Sequence, residues 1–280
     1  MSLLFNRAGL IEIATEDGGI GLQGLRFEFV SRKTRSSTPN SLFVRIYNPA
    51  PTTRATATDN EADIRVFAGY TGNIALVSEA NIVTAVTLRE PPNIILEIEA
   101  QEGIRALREE PVSISHGGGA TVRSVLDELV GILDIDERDT DADLSKAIRG
   151  GFSHVGKITR ALDDLVSQIN GYWSIQNNEL LVLDEKGFVE TEEIPILTPF
   201  TGVVFSPEAV EKQLSTEQED IEPRNGYRVT TLMQPSIEPG DLVRIQTAEV
   251  SGEFLVDEVE HRGDIESSEW YSVVTALEKE

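Results

Sequence analysis

Along most of the chain apolar and polar residues alternate in short runs, the period-two signature of half-buried strands. Leu10-Ile11-Glu12-Ile13, Leu25 to Val30, Leu42 to Tyr47 and Ile64 to Phe67 each read as a strand. Asn73 to Val77, Ile82 to Val86 and Ile94 to Ile98 follow, separated by Thr71-Gly72, Glu79-Ala80-Asn81 and Pro91-Pro92-Asn93. A meander of this kind predicts an antiparallel sheet that closes into a barrel or a sandwich.

Near Thr121 the period changes. Val122, Val125, Leu126, Leu129 and Val130 fall on one face of a helix, and Ile158, Ala161, Leu162, Leu165, Val166 and Ile169 repeat the spacing. Asn170-Gly171 supplies the left-handed residue that ends the second helix. Tyr172 to Ile175 and Leu180 to Leu183, joined through Gln176-Asn177-Asn178-Glu179, predict a hairpin.

After Thr198-Pro199 the strand pattern returns. Gly202 to Phe205 precedes an acidic stretch, Glu208 to Glu222, which predicts a solvated loop; an Asn225-Gly226 turn then leads into Tyr227 to Leu232. The turn Pro239-Gly240-Asp241 launches Leu242 to Ile245, and Gly252 to Val256, Val259 to His261 and Trp270 to Val274 complete the section. The rhythm of Ile64 to Ile98 recurs from Leu242 to Ala276 as pattern, not as identity.

The expected fold is therefore mainly β with an α+β insert: two similar antiparallel β-barrel domains, residues 1–105 and 197–280, flank a helical and hairpin unit at 106–196. As a trimer, such a chain would present six like units in a ring built from heterologous contacts.

Composition narrows the functions. The 280 residues are 40% hydrophobic, as in ordinary globular proteins, and no run approaches the ~18 apolar residues of a spanning helix. The short apolar start Ser2 to Phe5 breaks at Asn6 and Arg7, so neither anchor nor signal peptide is expected. With no cysteine there are no disulfides, thiolate metal sites or thiol catalysis. Forty-eight acidic against 24 basic side chains, a formal charge of -24, oppose specific nucleic-acid binding. Solubility is one account of that charge; a surface past which DNA must slide without sticking is the other.

Several motifs lack the context their chemistry needs. Gly19 to Gly24 spells a dinucleotide fingerprint but precedes a strand instead of a helix, so a glycine-rich β turn or bulge is the reading. His116-Gly117-Gly118-Gly119 resembles an esterase oxyanion loop, yet the sequence holds no Gly-x-Ser-x-Gly elbow; it reads as a flexible connector into the first helix. Asp134, Asp136, Asp139, Asp141 and Asp143 suggest a calcium loop, but Leu144 stands where the glycine and Gly150 where the glutamate is required. A solvated linker is expected there, with a weak cation contact left open. His154 and His261 have no metal-ligand spacing. No catalytic, cofactor or metal residue is nominated, and the chain is expected not to be an enzyme.

Three stretches carry a family resemblance. The first is Pro39-Asn40-Ser41-Leu42-Phe43-Val44-Arg45-Ile46-Tyr47-Asn48-Pro49, with Arg65-Val66-Phe67-Ala68-Gly69-Tyr70 following. The second is Gly171-Tyr172-Trp173-Ser174-Ile175 leading to Glu179 to Leu183. The third runs through Ile237-Glu238-Pro239-Gly240-Asp241-Leu242-Val243, Gly252-Glu253-Phe254, His261-Arg262-Gly263-Asp264 and Glu269-Trp270. In order and spacing the set resembles the hub proteins of phage tail baseplates, the late control protein D type with the T4-like hub and related secretion-system spike proteins.

The resemblance implies a homotrimer forming a pseudo-six-fold ring, a hexameric tail tube above, a trimeric spike below and a channel that DNA crosses. It also implies other baseplate partners, a place in the virion and synthesis in the host cytoplasm. Against the larger hubs of that family, no lysozyme, peptidase or adhesin segment is expected after Ala276, so a spike or cell-wall hydrolase would be a separate protein. A receptor- or carbohydrate-binding tail module, which would need exposed aromatic platforms, is the competing class; a cell-wall hydrolase, which would need a positioned acid and base or a metal, is the third.

Overall fold

The computed structural model describes residues 6–16, 18–59, 61–107, 111–140, 142–184, 187–189, 191, 193–212 and 224–279. The first section carries β1 (Arg7–Thr15), β2 (Gly18–Leu22), β3 (Phe27–Thr34), β4 (Ser41–Tyr47), α1 (Pro51–Ala57), β5 (Asp63–Tyr70), β6 (Asn73–Glu90) and β7 (Asn93–Gln101). The insert follows with α2 (Ile104–Leu107), β8 (Val112–His116), α3 (Val122–Leu133), β9 (Asp136–Glu137), β10 (Phe152–Gly156), α4 (Ile158–Ser167), β11 (Tyr172–Gln176) and β12 (Glu179–Leu183). The third section holds β13 (Ile196–Leu197), β14 (Glu208–Lys212), β15 (Arg224–Leu232), β16 (Leu242–Gln246), β17 (Ser251–Asp264) and β18 (Trp270–Glu278).

The two β sections share one 13-stranded sheet, ordered β14-β15-β18-β17-β3-β4-β7-β6-β5-β1-β2, with β16 and β13 branching from β17. Among the described residues no pairing closes either section into a barrel by itself. They join instead where β3 lies antiparallel to the second half of β17, from Glu258 opposite Thr34 to Asp264 opposite Glu28.

Several strands differ from the sequence reading. The two runs around Glu79-Ala80-Asn81 form the single 18-residue β6, because Ser78 and Ala80 are buried and keep the strand going. Gly19 to Leu22 is neither turn nor bulge but strand, paired with β1 in a hairpin. Asn225-Gly226 lies within β15 opposite Glu211 and Val210, so Glu208 to Lys212 is the edge strand β14 and not a loop; 213–222 fall outside the described residues.

The buried apolar residues gather into three large clusters and a small fourth of Leu181, Leu183 and Val189. Ile11, Phe29, Val44, Ile64, Leu96 and their neighbours fill the first, closed by Met233 and Trp270 from the third section. Val122, Leu126, Leu129, Leu162, Leu165 and Trp173 fill the second, which draws only on residues of the insert. Thr121 caps α3, its Oγ1 accepting the Ser124 amide while Ser124 Oγ accepts the Thr121 amide. Asn170, at φ 53°, ends the second long helix as its sequence predicts, and Asn177 and Asn178, at φ 51° and 67°, make the tight hairpin turn. The third core gathers Leu197, Val229, Val243, Phe254, Val259 and Val274.

Candidate functional site: a buried ionic junction and an apolar loop

Three sections meet at a cluster of buried charges. Lys33 on β3 has a fully buried side chain, and its Nζ sits 3.2 Å from both Glu102 Oε1 and Glu238 Oε1. It also donates to Asn177 Oδ1, at the tip of the insert hairpin, over 2.7 Å. Arg138, just beyond β9, reaches from the insert to Glu238 and to Asp241 Oδ1, the latter at 3.1 Å. Asp241 Oδ2 accepts the Glu238 amide at 2.8 Å, which folds the Pro239-Gly240 turn back on itself.

Glu102 is satisfied on every side. Ser78 Oγ donates to one of its oxygens at 2.6 Å; Asn40 Nδ2 and the Asn177 amide donate to the other at 3.0 and 3.1 Å. Asn40 also donates to Ile175 O and Gln176 Oε1, each at 2.9 Å, so one amide of the first section reads the insert backbone. Beside this cluster Arg35 donates to Asp257 Oδ1, Lys212 pairs with the same carboxylate, and the Arg35 guanidinium lies 5.1 Å from the Tyr172 ring centre.

Burial sets the electrostatics. It pulls Lys33 down, but Glu102 and Glu238 more than offset it, so the ammonium titrates above its ordinary value. It pushes Glu238 and Asp257 up, yet the adjacent cations hold both below the usual carboxylate range. Asp241 is the exception: burial dominates over Arg138 and raises it to about 6. His261, buried and facing Lys33, is pushed down to about 3 and is neutral near neutrality; its Nδ1 lies 2.8 Å from Ser272 Oγ.

The second feature is a surface. Between the first and third sections runs a groove of 740 Å³ lined by Arg7, Tyr70, Phe205, Arg262, Trp270 and Tyr271 among others. Trp270 and Tyr70 are 2% and 5% exposed, so neither offers a face for a sugar to stack upon. On its rim Phe205 is 69% and Val204 48% exposed, and the nearby Phe200 is 90% exposed. Thr198 and Thr201 fix this loop, with Thr201 Oγ1 donating to Ile196 O at 2.6 Å.

The motifs set aside in the sequence are dispersed. His116 ends β8 and lies 2.7 Å from Glu128, so the stretch is the end of a strand and a turn, not a free connector. His154 contacts Asp164 at 3.2 Å in the insert, remote from His261. Asp134 caps α3 in the left-handed region, Asp136 is in β9, Asp143 binds Ser145, and Asp141 lies outside the described residues. Among the described residues no group of three or more His, Asp or Glu side chains is placed to hold a metal ion. The ionic junction has no sequence signature, because its members are spread from residue 33 to residue 241 with no common spacing.

The geometry defines a class: a mainly β chain whose two β sections share a sheet around a self-contained helical insert. No protein-family model matches the sequence, and no curated protein matches it. Solved structures do. A tail protein from Neisseria meningitidis superposes with a TM-score of 0.68 over 97% of each chain at 9% identity. A tail protein of prophage MuSo2 from Shewanella oneidensis gives 0.67 over 97% of this chain and 99% of that one at 10% identity. A component of the Escherichia coli type VI secretion system, described as structurally similar to T4 bacteriophage tail proteins, gives 0.59 over 95% and 76% at 12% identity. The fold is that of phage tail proteins, from one end of the described chain to the other.

Proposed function

We propose that this protein is a structural hub of a phage tail baseplate, acting as a homotrimer that joins a six-fold tail tube to a three-fold spike. The observation that carries the reading is the repeated strand order. The first section runs β3-β4-β7-β6-β5 and the third runs β14-β15-β18-β17-β16, so one chain holds two like units in series. Three such chains make six units, which is what a connector between six-fold and three-fold partners requires. The three-part organisation at 1–105, 106–196 and 197–280 belongs to this reading, and the separate core of the insert supports it.

The exposed Phe200 and Phe205 also favour assembly, since a lone chain would leave that apolar loop in water. The excess of 24 negative charges suits a passage that DNA crosses without binding, within a virion component made in the host cytoplasm. Tube, spike and other baseplate proteins are the partners on this reading; catalysis is not part of it.

Cryo-electron microscopy of the purified protein tests it. Three-fold rings with an open, acid-lined centre are expected. Basic side chains on the lumen would overturn the DNA-passage reading, and a compact monomer at every concentration would overturn the assembly.

A further inference from the structure

The two β units are alike down to their irregularities. In the first, β6 pairs with β5 up to Asn81 and with β7 from there on, and the change is marked by a bulge between Ile82 and Thr84. In the third, β17 pairs with β16 up to Leu255 and with β18 from Phe254 on, and its bulge falls between Val256 and Glu258. Aligning the bulges makes Thr84 the counterpart of Glu258, Val86 of Glu260 and Leu88 of Arg262. The neighbouring ladders agree, since Glu99 and Thr275 pair with these strands at the same step, and Phe43 and Arg228 pair with them in turn. Val30 and Glu208 then correspond, as do Arg32 and Val210.

One difference separates the units. The second half of β17 is covered on its outer side by β3, and Val259, His261 and Gly263 are accordingly buried. Among the described residues the second half of β6 pairs with β7 alone, and Val83 and Val86 are 42% and 44% exposed. The counterpart of β3 is β14, which among the described residues pairs with β15 alone and is itself largely exposed. Each chain therefore carries one filled seam and the two unfilled halves of another, one on β14 and one on β6. Unpaired strand edges of this length call for a partner strand.

We infer that β14 of one copy adds to the second half of β6 in the next, repeating between chains the β3·β17 seam found within the chain. The correspondence fixes the register: antiparallel, with Val210 opposite Val86, Ala209 opposite Thr87, Glu208 opposite Leu88 and Glu211 opposite Ala85. Inside the chain the first of these positions holds the ion pair of Arg32 and Glu260, Nε to Oε2 2.5 Å. Between chains it becomes a valine pair, which removes the exposed Val86 from water. The contact is heterologous and continues from copy to copy until the ring closes. This rests on the proposed assembly, and adds the surface, the partner strand and the register.

The absence of native cysteine gives a direct test. Val86→Cys and Val210→Cys together place two thiols opposite each other across a strand pair, within the separation a disulfide bridges. Mild oxidation should convert most of the protein into covalently linked oligomers on non-reducing gels, while either single variant, or Val86→Cys with Val155→Cys, should not. Thr87→Pro, placed where the main-chain N–H of β6 faces the free edge and not β7, should weaken oligomerisation at least tenfold in apparent affinity and leave the monomer's melting little changed. Oligomers that form but neither cross-link nor respond to Thr87→Pro would overturn the seam and leave the assembly reading standing. Monomers at all concentrations, without cross-linking, would overturn both.

Discussion

The two joints within this chain are built from opposite materials. The joint between the β sections is a main-chain ladder, β3 on β17, sealed by Phe29 against Trp270 with ring centres 6.0 Å apart and the Trp270 Nε1 donating to Gly69 O at 3.0 Å. The joint between the β sections and the insert is dominated by charges and amides, Lys33, Glu102, Arg138, Glu238, Asp241, Asn40 and Asn177, beside a small apolar patch of Leu181, Leu183 and Val189 packed on Gly240. A ladder joint holds through backbone groups that nearly any sequence supplies, whereas a charge joint fails when a single partner is lost. The insert, with its own core, is attached through the joint that single side chains control.

The largest expected effect follows from that asymmetry. Lys33→Met keeps an unbranched side chain one atom shorter and removes its charge, leaving Glu102 buried without its Lys33 partner. Breaking a buried pair on one side costs about 3–5 kcal/mol. Chemical denaturation should show that loss, and hydrogen exchange should place the earliest opening at the insert's contact with β3 and β7. Loss spread evenly over the β sheet would contradict the assignment of the joint.

How far each joint could be foreseen follows the same division. The ladder joint shows in the sequence as alternation in Phe27-Glu28-Phe29-Val30, and the helical faces of the insert show at Val122 to Val130 and Ile158 to Ile169. The alternating Val112-Ser113-Ile114-Ser115-His116 signals β8, and the Pro at the start of Pro51-Thr52-Thr53-Arg54 signals α1, yet both are short enough to pass for loop. Lys33 carried no signal. Read within Ser31-Arg32-Lys33-Thr34 it is the polar end of a strand, and only partners at 102 and 238 make it a core residue. Closed barrels were expected because alternation reports a sheet face but not which strand lies beyond its edge.

The ladder joint gives the next largest effect. A Cβ on Gly263 would come within 2.3 Å of Phe29 Cε1 and 2.9 Å of Trp270 Cζ3. Overpacking of this kind costs about 1–3 kcal/mol. Gly263→Ala should lower the thermal midpoint of the β sections by the same amount at pH 5 and at pH 7.5, because the atoms it displaces are uncharged. A marked pH dependence of that loss would mean that the two joints are not chemically distinct.

The smallest effect is a pH dependence confined to the charge joint. Its buried cluster counts two cations, Lys33 and Arg138, against three carboxylates, Glu102, Glu238 and Asp241, with His261 neutral above pH ~3. Asp241 carries the surplus charge, and its folded value of about 6 lies above the ordinary 3.8. A raised value means that protonation favours the fold: the stabilisation is complete below pH ~3.8 and is lost as pH rises through about 6. Glu238 and Asp257 run the other way, losing their contribution only below the normal carboxylate range, so pH 5 to 7.5 isolates Asp241. Over that window the native protein should lose about 1 kcal/mol as pH rises. Asp241→Asn, uncharged throughout, should abolish that decline, since every other group is common to the two proteins. An unchanged slope in the variant would show that the third carboxylate is compensated elsewhere, and that a proton does not tighten the hold of Arg138 and Asn177 on the β sections.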